Sequence, residues 1–411
     1  MKQTLRIDAI AALLLIAGAA AGCRTGADLN RPSDFHEDLA FLKRHTDPVV
    51  LGEDDLGPRV VVVPEYQGRV MTSTTGGPLA PSHGFINYDL IAAGELQDHI
   101  NAFGGEDRFW LGPEGGQFAI FFETGDPFDY EHWQTPALID SARYEITSQD
   151  QRQVSFTHEA VIKNYSGAEF DLRIDRTIRL LHREQVAKDL GVDDLGGVDL
   201  VAYESENTIT NRSRNAWTAE QGLLSIWILG MFRPTETTTV VIPFRPGPEA
   251  ELGQKVNDAY FGKVPADRLA VADDLLFFRG DGLLRSKIGV SKARARDVLG
   301  SYDPARNLLT LVRYTLPEDA SAYVNSMWEL QQEPYGGDVV NSYNDGPLEP
   351  GGVQLGSFYE LETSSPAAAL RPKQSLTHTH RTIHLRGDRE QLDRISRKTL
   401  GASLDEIEGA L

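Results

Sequence analysis

Phe358-Tyr-Glu-Leu-Glu-Thr-Ser-Ser-Pro-Ala-Ala-Ala-Leu370 reads as one strand and its stop. Tyr359 and Leu361 alternate with Glu360 and Glu362, and the period-2 geometry of a strand points both carboxylates to one face. Pro366 has no N–H to give a sheet, so pairing ends at or before it. The expectation is a strand with one apolar face and one wet, acidic face, the latter forming the floor of a cleft.

The same grain extends outward through most of the chain. Short β-branched or alternating runs fall at residues 59–64, 68–74, 117–123, 142–148, 153–159, 170–180, 201–210 and 223–231, then 238–243, 275–279, 308–315, 324–330, 353–362 and 375–385, separated by Gly, Pro, Asn and Asp. So many strands at this spacing predict an all-β fold, a large two-sheet antiparallel sandwich. No fixed-period repeat argues for a propeller or solenoid. Helical spacing is confined to the margins: residues 35–45, 90–101, 256–260, and 389–399 with Leu392, Ile395 and Leu400 on one side. Nothing divides residues 49–386, so they are expected to form a single domain, followed by a terminal helix within 387–411. Residues 183–197 and 333–352, rich in acidic residues, Gly, Asn and Pro, are expected to be its most mobile loops.

The first two dozen residues predict the compartment. Lys2 and Arg6 precede an apolar run that ends in Ala20-Ala21-Gly22-Cys23. This is the pattern of a secretory signal over residues 1–22, too short for an ordinary membrane span. Small residues before the single cysteine fit lipid attachment at Cys23, with residues 23–48 as a tether and short helix. A plain secretory signal, with Cys23 lost or free, is the alternative. The lipid-anchored reading places the protein on a bacterial envelope membrane, facing the periplasm or exterior. The formal charge is −20, and cleavage after residue 22 would leave −21. Such a surface repels nucleic acid. With one cysteine there is no internal disulfide, so the core must carry the stability.

Chemistry-bearing residues concentrate in Phe103-Gly-Gly-Glu-Asp-Arg-Phe-Trp-Leu-Gly-Pro-Glu-Gly-Gly116. Glu106, Arg108 and Glu114 crowd charge beside Trp110, which is costly unless the charges are paired or line a cleft. Sugars suit such a wall, because their C–H faces stack on indole and their hydroxyls bridge carboxylates and arginine. No nucleotide-binding glycine loop, Gly-x-Ser-x-Gly elbow or His-Glu-x-x-His is present, and no cofactor is expected.

Four segments in order resemble the galactose mutarotase-like superfamily, which includes the aldose 1-epimerases. They are Glu65-Tyr-Gln-Gly-Arg69-Val70 after an apolar strand, the Gly-rich Trp110 segment, Thr210-Asn211-Arg-Ser-Arg-Asn-Ala-Trp217, and Leu361-Glu362-Thr363. The resemblance implies a β-supersandwich with a saccharide ligand. It also implies Glu362 as general base; Arg69, Glu106, Arg108, Trp110, Glu114, Asn211 and Glu360 are the residues expected around the ligand. An epimerase pairs its carboxylate with an acid that protonates the ring oxygen. Where the superfamily carries that histidine, this chain has Arg212, which cannot donate a proton at neutral pH but can bind a carboxylate. His83, in a Pro-Ser-His-Gly loop, is the substitute candidate. His99 and His132 are further histidines of open role. The function expected is epimerase-like or lyase-like proton transfer on a sugar or uronic acid. The alternative is a surface lipoprotein that binds glycans without turnover.

His378, His380 and His384 share parity on the last strand, a spacing used for transition metals. Thr377, Thr379 and Arg381 on the opposite parity suggest an exposed edge strand carrying structural histidines, and no metal is expected.

Overall fold

The computed structural model describes residues 34–76, 81–347, 352 and 354–411. Residues 1–22, expected to be a signal sequence, and Cys23 lie outside the described residues. In chain order the strands begin with β1 (Val49–Leu51), β2 (Arg59–Val63), β3 (Arg69–Thr74), β4 (Arg108–Gly112), β5 (Glu145–Gln149) and β6 (Gln153–Lys163). They continue with β7 (Glu169–Leu180), β8 (Asp199–Asn211), β9 (Ser225–Phe232), β10 (Thr239–Pro243), β11 (Leu269–Val271) and β12 (Leu275–Arg279). The last are β13 (Ser286–Ser291), β14 (Val298–Asp303), β15 (Leu308–Tyr314), β16 (Asp338–Asn344), β17 (Tyr359–Ser364) and β18 (Ser375–Arg386).

Two antiparallel layers result, as the alternating pattern predicts. One is a ten-stranded sheet, β11-β12-β10-β14-β15-β18-β8-β7-β6-β5. The other is a five-stranded sheet, β13-β16-β17-β9-β4, extended by β3-β2-β1 through the single bridge between Val70 and Asp107. Between the layers lie Phe109, Ile226, Ile228, Leu361 and Val340 from the second and Phe156, Ile174, Tyr203, Leu299 and Val312 from the first. Burying apolar area of this kind, at roughly 25 cal/mol per Å², is what holds the layers together.

The helices close the outer faces. α1 (Phe35–His45) seats Phe35, Leu39 and Leu42 against Val61, Val63 and Met71, and Asp34 caps it by accepting the Glu37 N–H at 2.8 Å. After α2 (Tyr88–Ala93) and α3 (Ala137–Asp140), α4 (Arg183–Leu190) and, beyond α5 (Glu249–Leu252), α6 (Arg389–Thr399) and α7 (Leu404–Glu408) cover the outside of the ten-stranded sheet at Ala202, Leu309, Leu311 and Ile383.

Several local expectations fail for identifiable reasons. Residues 183–197 hold α4 rather than only a loop, because Gln185 reaches back to the His182 N–H at 3.0 Å and Gly191 closes the helix at φ 64°. Residues 333–352 contain β16, paired on both sides. Residues 117–123 are no strand: Ala119 and Ile120 donate to the Gly116 and Pro113 carbonyls, a turn that buries Phe121 and Phe122 as a corner. Residues 324–330 and 256–260 are likewise irregular, and the helix expected at 90–101 is only Tyr88–Ala93.

The largest correction concerns β18. It lies between β15 and β8, near the middle of the wide sheet, not at its edge. His378, His380 and His384 are fully buried between the layers, while Thr377 faces solvent on the other side. The parity was right; the face it pointed to was the core.

Candidate active site

β17 sits between β16 and β9, with β13 and β4 outside them. Register places Lys287, Tyr343, Glu360 and Met231 across one row, and Asn341, Glu362, Leu229 and Arg108 across the next. Residues opposite one another on paired strands share a face. Glu360, Glu362, Arg108, Lys287 and, one step along, Trp110 and Trp227 therefore all stand on the outward side, away from the partner sheet. Tyr359, Leu361 and Thr363 of the same strand point inward.

The acidic face is not wet. Glu362 is 0% exposed and Glu360 4%, and each has a dedicated cation. Lys287 Nζ and Trp227 Nε1 both donate to Glu362 Oε2 at 3.0 Å, leaving the buried Oε1 without a partner. Arg108 Nη2 donates to Glu360 Oε1 at 2.8 Å. The cations also lie over aromatic faces, Arg108 at 4.4 Å from the Trp110 ring and Lys287 at 4.7 Å from Trp227 and 5.4 Å from Tyr260. Pairing of this kind offsets the cost of burying such groups in a dry site.

Glu114 joins this group from the turn after β4, where Pro113 ends the strand. Three carboxylates thus face two cations. Burial pushes Glu360 up to about 8; Arg108 opposes the shift and the neighbouring Glu362 adds to it. Burial likewise pushes Glu114 up to about 7, against the pull of Lys287. Such a cluster holds a proton at neutral pH next to a carboxylate oxygen that has no partner, which is the equipment of acid–base catalysis.

Of the residues singled out in the sequence, Arg108, Trp110, Glu114, Glu360 and Glu362 come together here. Arg69 is buried, donating to the Gly104 carbonyl and Gln67 Oε1; burial and the nearby Arg108 lower it to about 9. Glu106 turns between the layers, where it accepts from the Ser73 N–H at 2.6 Å, Tyr203 Oη at 3.1 Å and pairs with His384 Nε2 at 3.0 Å. His83 stacks on His384 with centroids 4.3 Å apart, so it meets Glu106's cluster rather than Glu362. Arg212 pairs with the exposed Glu159 of β6 and with Asp171 near the start of β7. Asn211 spends its amide on the Leu370 and Asn215 carbonyls. An open groove of about 600 Å³ lies beside that segment, but its acidic residues Glu169 and Asp171 are solvated and no buried acid–base pair lines it. His99 bonds the Trp133 carbonyl and His132 pairs with Asp129.

Sequence reasoning missed Lys287, Trp227, Trp328 and Tyr260. The missing signal was β13, whose run Ser-Lys-Ile-Gly-Val-Ser alternates visibly and would have put Lys287 on one face. Tyr260 is fixed by Asp338 at 2.7 Å and Asn341 at 3.1 Å, over the lysine. Among the described residues no group of three or more His, Cys, Asp or Glu side chains is placed to hold a metal ion.

A two-layer β protein with an outward carboxylate–cation cluster is the class that fold and site define. Residues 33–411 match the model of a family of unknown function, DUF6786, and the chain belongs to that family. No curated protein matches the sequence. Similar solved structures include Slr1438 from Synechocystis sp. PCC 6803, 13% identical, covering 82% of this chain and 96% of that one at a TM-score of 0.47. Others are a galactose mutarotase-like protein from Lactobacillus casei (10%, 82% and 100%, 0.45) and a galactose mutarotase related enzyme from Lactobacillus acidophilus (8%, 83% and 98%, 0.43). At this similarity the functional reading rests on this chain's own side chains.

Proposed function

We propose that the chain is a carbohydrate-acting protein that holds a sugar against the outward face of β17 and moves protons through Glu362. The observation that carries this is the asymmetry of the Glu362 carboxylate. One oxygen is pinned by Lys287 and Trp227; the other is buried without an N–H donor, and the Glu362 side chain also hydrogen-bonds that of Glu360, whose raised pKa retains a proton near neutrality. Two donors occupy Oε2, so Oε1 is the oxygen left to accept from a substrate hydroxyl. The unpartnered Trp110 Nε1 and Arg108 Nε are the donors left for sugar oxygens, beside indole rings that Arg108 and Lys287 cover. The reaction class is epimerase-like proton transfer. The reading extends to an envelope location through a lipid on Cys23, which Cys23→Ser would abolish in a membrane-fractionation assay.

The test is a thermal-shift screen of mono- and oligosaccharides, followed by turnover assays on every hit. Glu362→Gln should keep binding and lower kcat by about 10²–10⁴-fold, the usual worth of a positioned base. A sugar that binds without turnover would make the chain a glycan-binding module. If no saccharide binds, the carbohydrate reading fails altogether.

A further inference from the structure

We propose that Glu114 is the proton donor of this site, taking the role for which the sequence offers no histidine beside Glu362; the inference rests on the proton-transfer reading above. Of the three clustered carboxylates, Glu360 is buried and committed to Arg108, and Glu362 is buried and committed to Lys287 and Trp227. Glu114, in the turn after β4, is the least buried of the three.

Its position is built, not incidental. The Glu114 N–H donates to Ser326 Oγ at 3.2 Å, and the Trp328 side chain hydrogen-bonds its carboxyl. The turn presses against the same loop at Gly115, where a Cβ would lie 2.3 Å from the Met327 carbonyl oxygen, a contact only glycine avoids. The charged groups facing Glu114 are Lys287 from β13, Arg108 from β4 and Glu362 from β17. Burial outweighs the two cations, and the carboxyl therefore keeps its proton up to about pH 7.

The step balances with these two carboxyls alone. The proton of an anomeric hydroxyl passes to Glu362 Oε1, and the freed O–H pair forms the carbonyl. The bond from the anomeric carbon to the ring oxygen breaks, and its electron pair takes the proton from Glu114. Reclosure on the other face of the carbonyl runs the same transfers backwards and restores both groups.

The probes are single anomers of free glucose, galactose, mannose and xylose, with interconversion followed by exchange NMR across pH 5–9. In the wild-type protein kcat should fall along an alkaline limb centred near the Glu114 pKa of about 7. Glu114→Gln preserves shape and a hydrogen bond to Trp328 but has no proton to give. It should lower kcat by about 10²-fold or more, leave KM within about twofold and remove the limb. Glu114→Asp should recover part of the rate with the limb restored, and it decides the matter should the glutamine variant misfold. A Glu114→Gln protein that keeps both rate and limb while Glu362→Gln is inactive overturns this inference and leaves the wider reading standing. Absence of interconversion for every aldose also overturns it, and the saccharide thermal-shift screen then shows separately whether the carbohydrate reading survives.

Discussion

The two faces of strand β17 meet groups of opposite chemistry. Outward, Glu360 and Glu362 are buried yet balanced by Arg108 and Lys287. Inward, Thr363 Oγ1 bridges His378 Nε2 and His380 Nδ1 at 2.9 Å each, and farther along β18 the stacked His384 and His83 meet Glu106. Burial raises the acids toward neutrality on the first face. On the second it drives His378 down to about 3, His380 to about 4 and His83 well below its ordinary value. The same physical force thus raises the acids of one face toward neutrality and keeps the histidines of the other uncharged. Unpartnered atoms exist on both, and the outward ones adjoin Glu114, which is less buried than Glu360 and Glu362.

The sharpest way to break the contrast is to remove a cation. Lys287→Met leaves Glu362 buried without its partner, and denaturant unfolding should show a loss of about 3–5 kcal/mol. A loss under 1 kcal/mol would mean that the outward charges are solvated and the two faces do not differ as described. The next effect is acid titration of the inward face. These histidines have folded pKa values below the unfolded value near 6.5, so the unfolded chain binds more protons below that pH. Their share of the stability is intact above about pH 6.5 and drains away as pH falls toward 4, by up to about 1.4 kcal/mol per pH unit for each.

The outward acids act with the opposite sign. Glu360 and Glu114 hold protons in the folded state that the unfolded chain has released above about pH 4.5, so their contribution is lost as pH rises through 7 to 8. A melting-temperature profile should therefore decline on both sides of a slightly acidic region. Glu360→Gln should flatten the alkaline side only, and His380→Gln the acid side only. Thr363→Val, which strips both imidazoles of their common hydroxyl, should cost about 1–3 kcal/mol in the same unfolding assay. Smallest of all, Arg212→Ala removes two solvent-exposed pairs and should change stability by less than about 1 kcal/mol and turnover not at all. A large effect there would move attention to the groove beside Trp217.

Much of this was legible before folding. The alternation of Tyr359-Glu-Leu-Glu-Thr363 assigned faces correctly, and the helical spacing at 35–45 and 389–399 corresponds to α1 and α6. The partners were not legible. Lys287 lies 75 residues from Glu362, and Arg108 lies 252 from Glu360; only the sheet order β13-β16-β17-β9-β4 brings them abreast. Residues 117–123 and 324–330 carried strand-like apolar content, but their backbones pair with turns, so composition misled there.

Sequence by itself determined which side chains share a face, because alternation is a property of the extended backbone and needs no partner. Tertiary structure decided which face was dry, which charges met and which protons were held. Burial and pKa depend on what stands opposite a residue, and here that was supplied by strands far away in the chain.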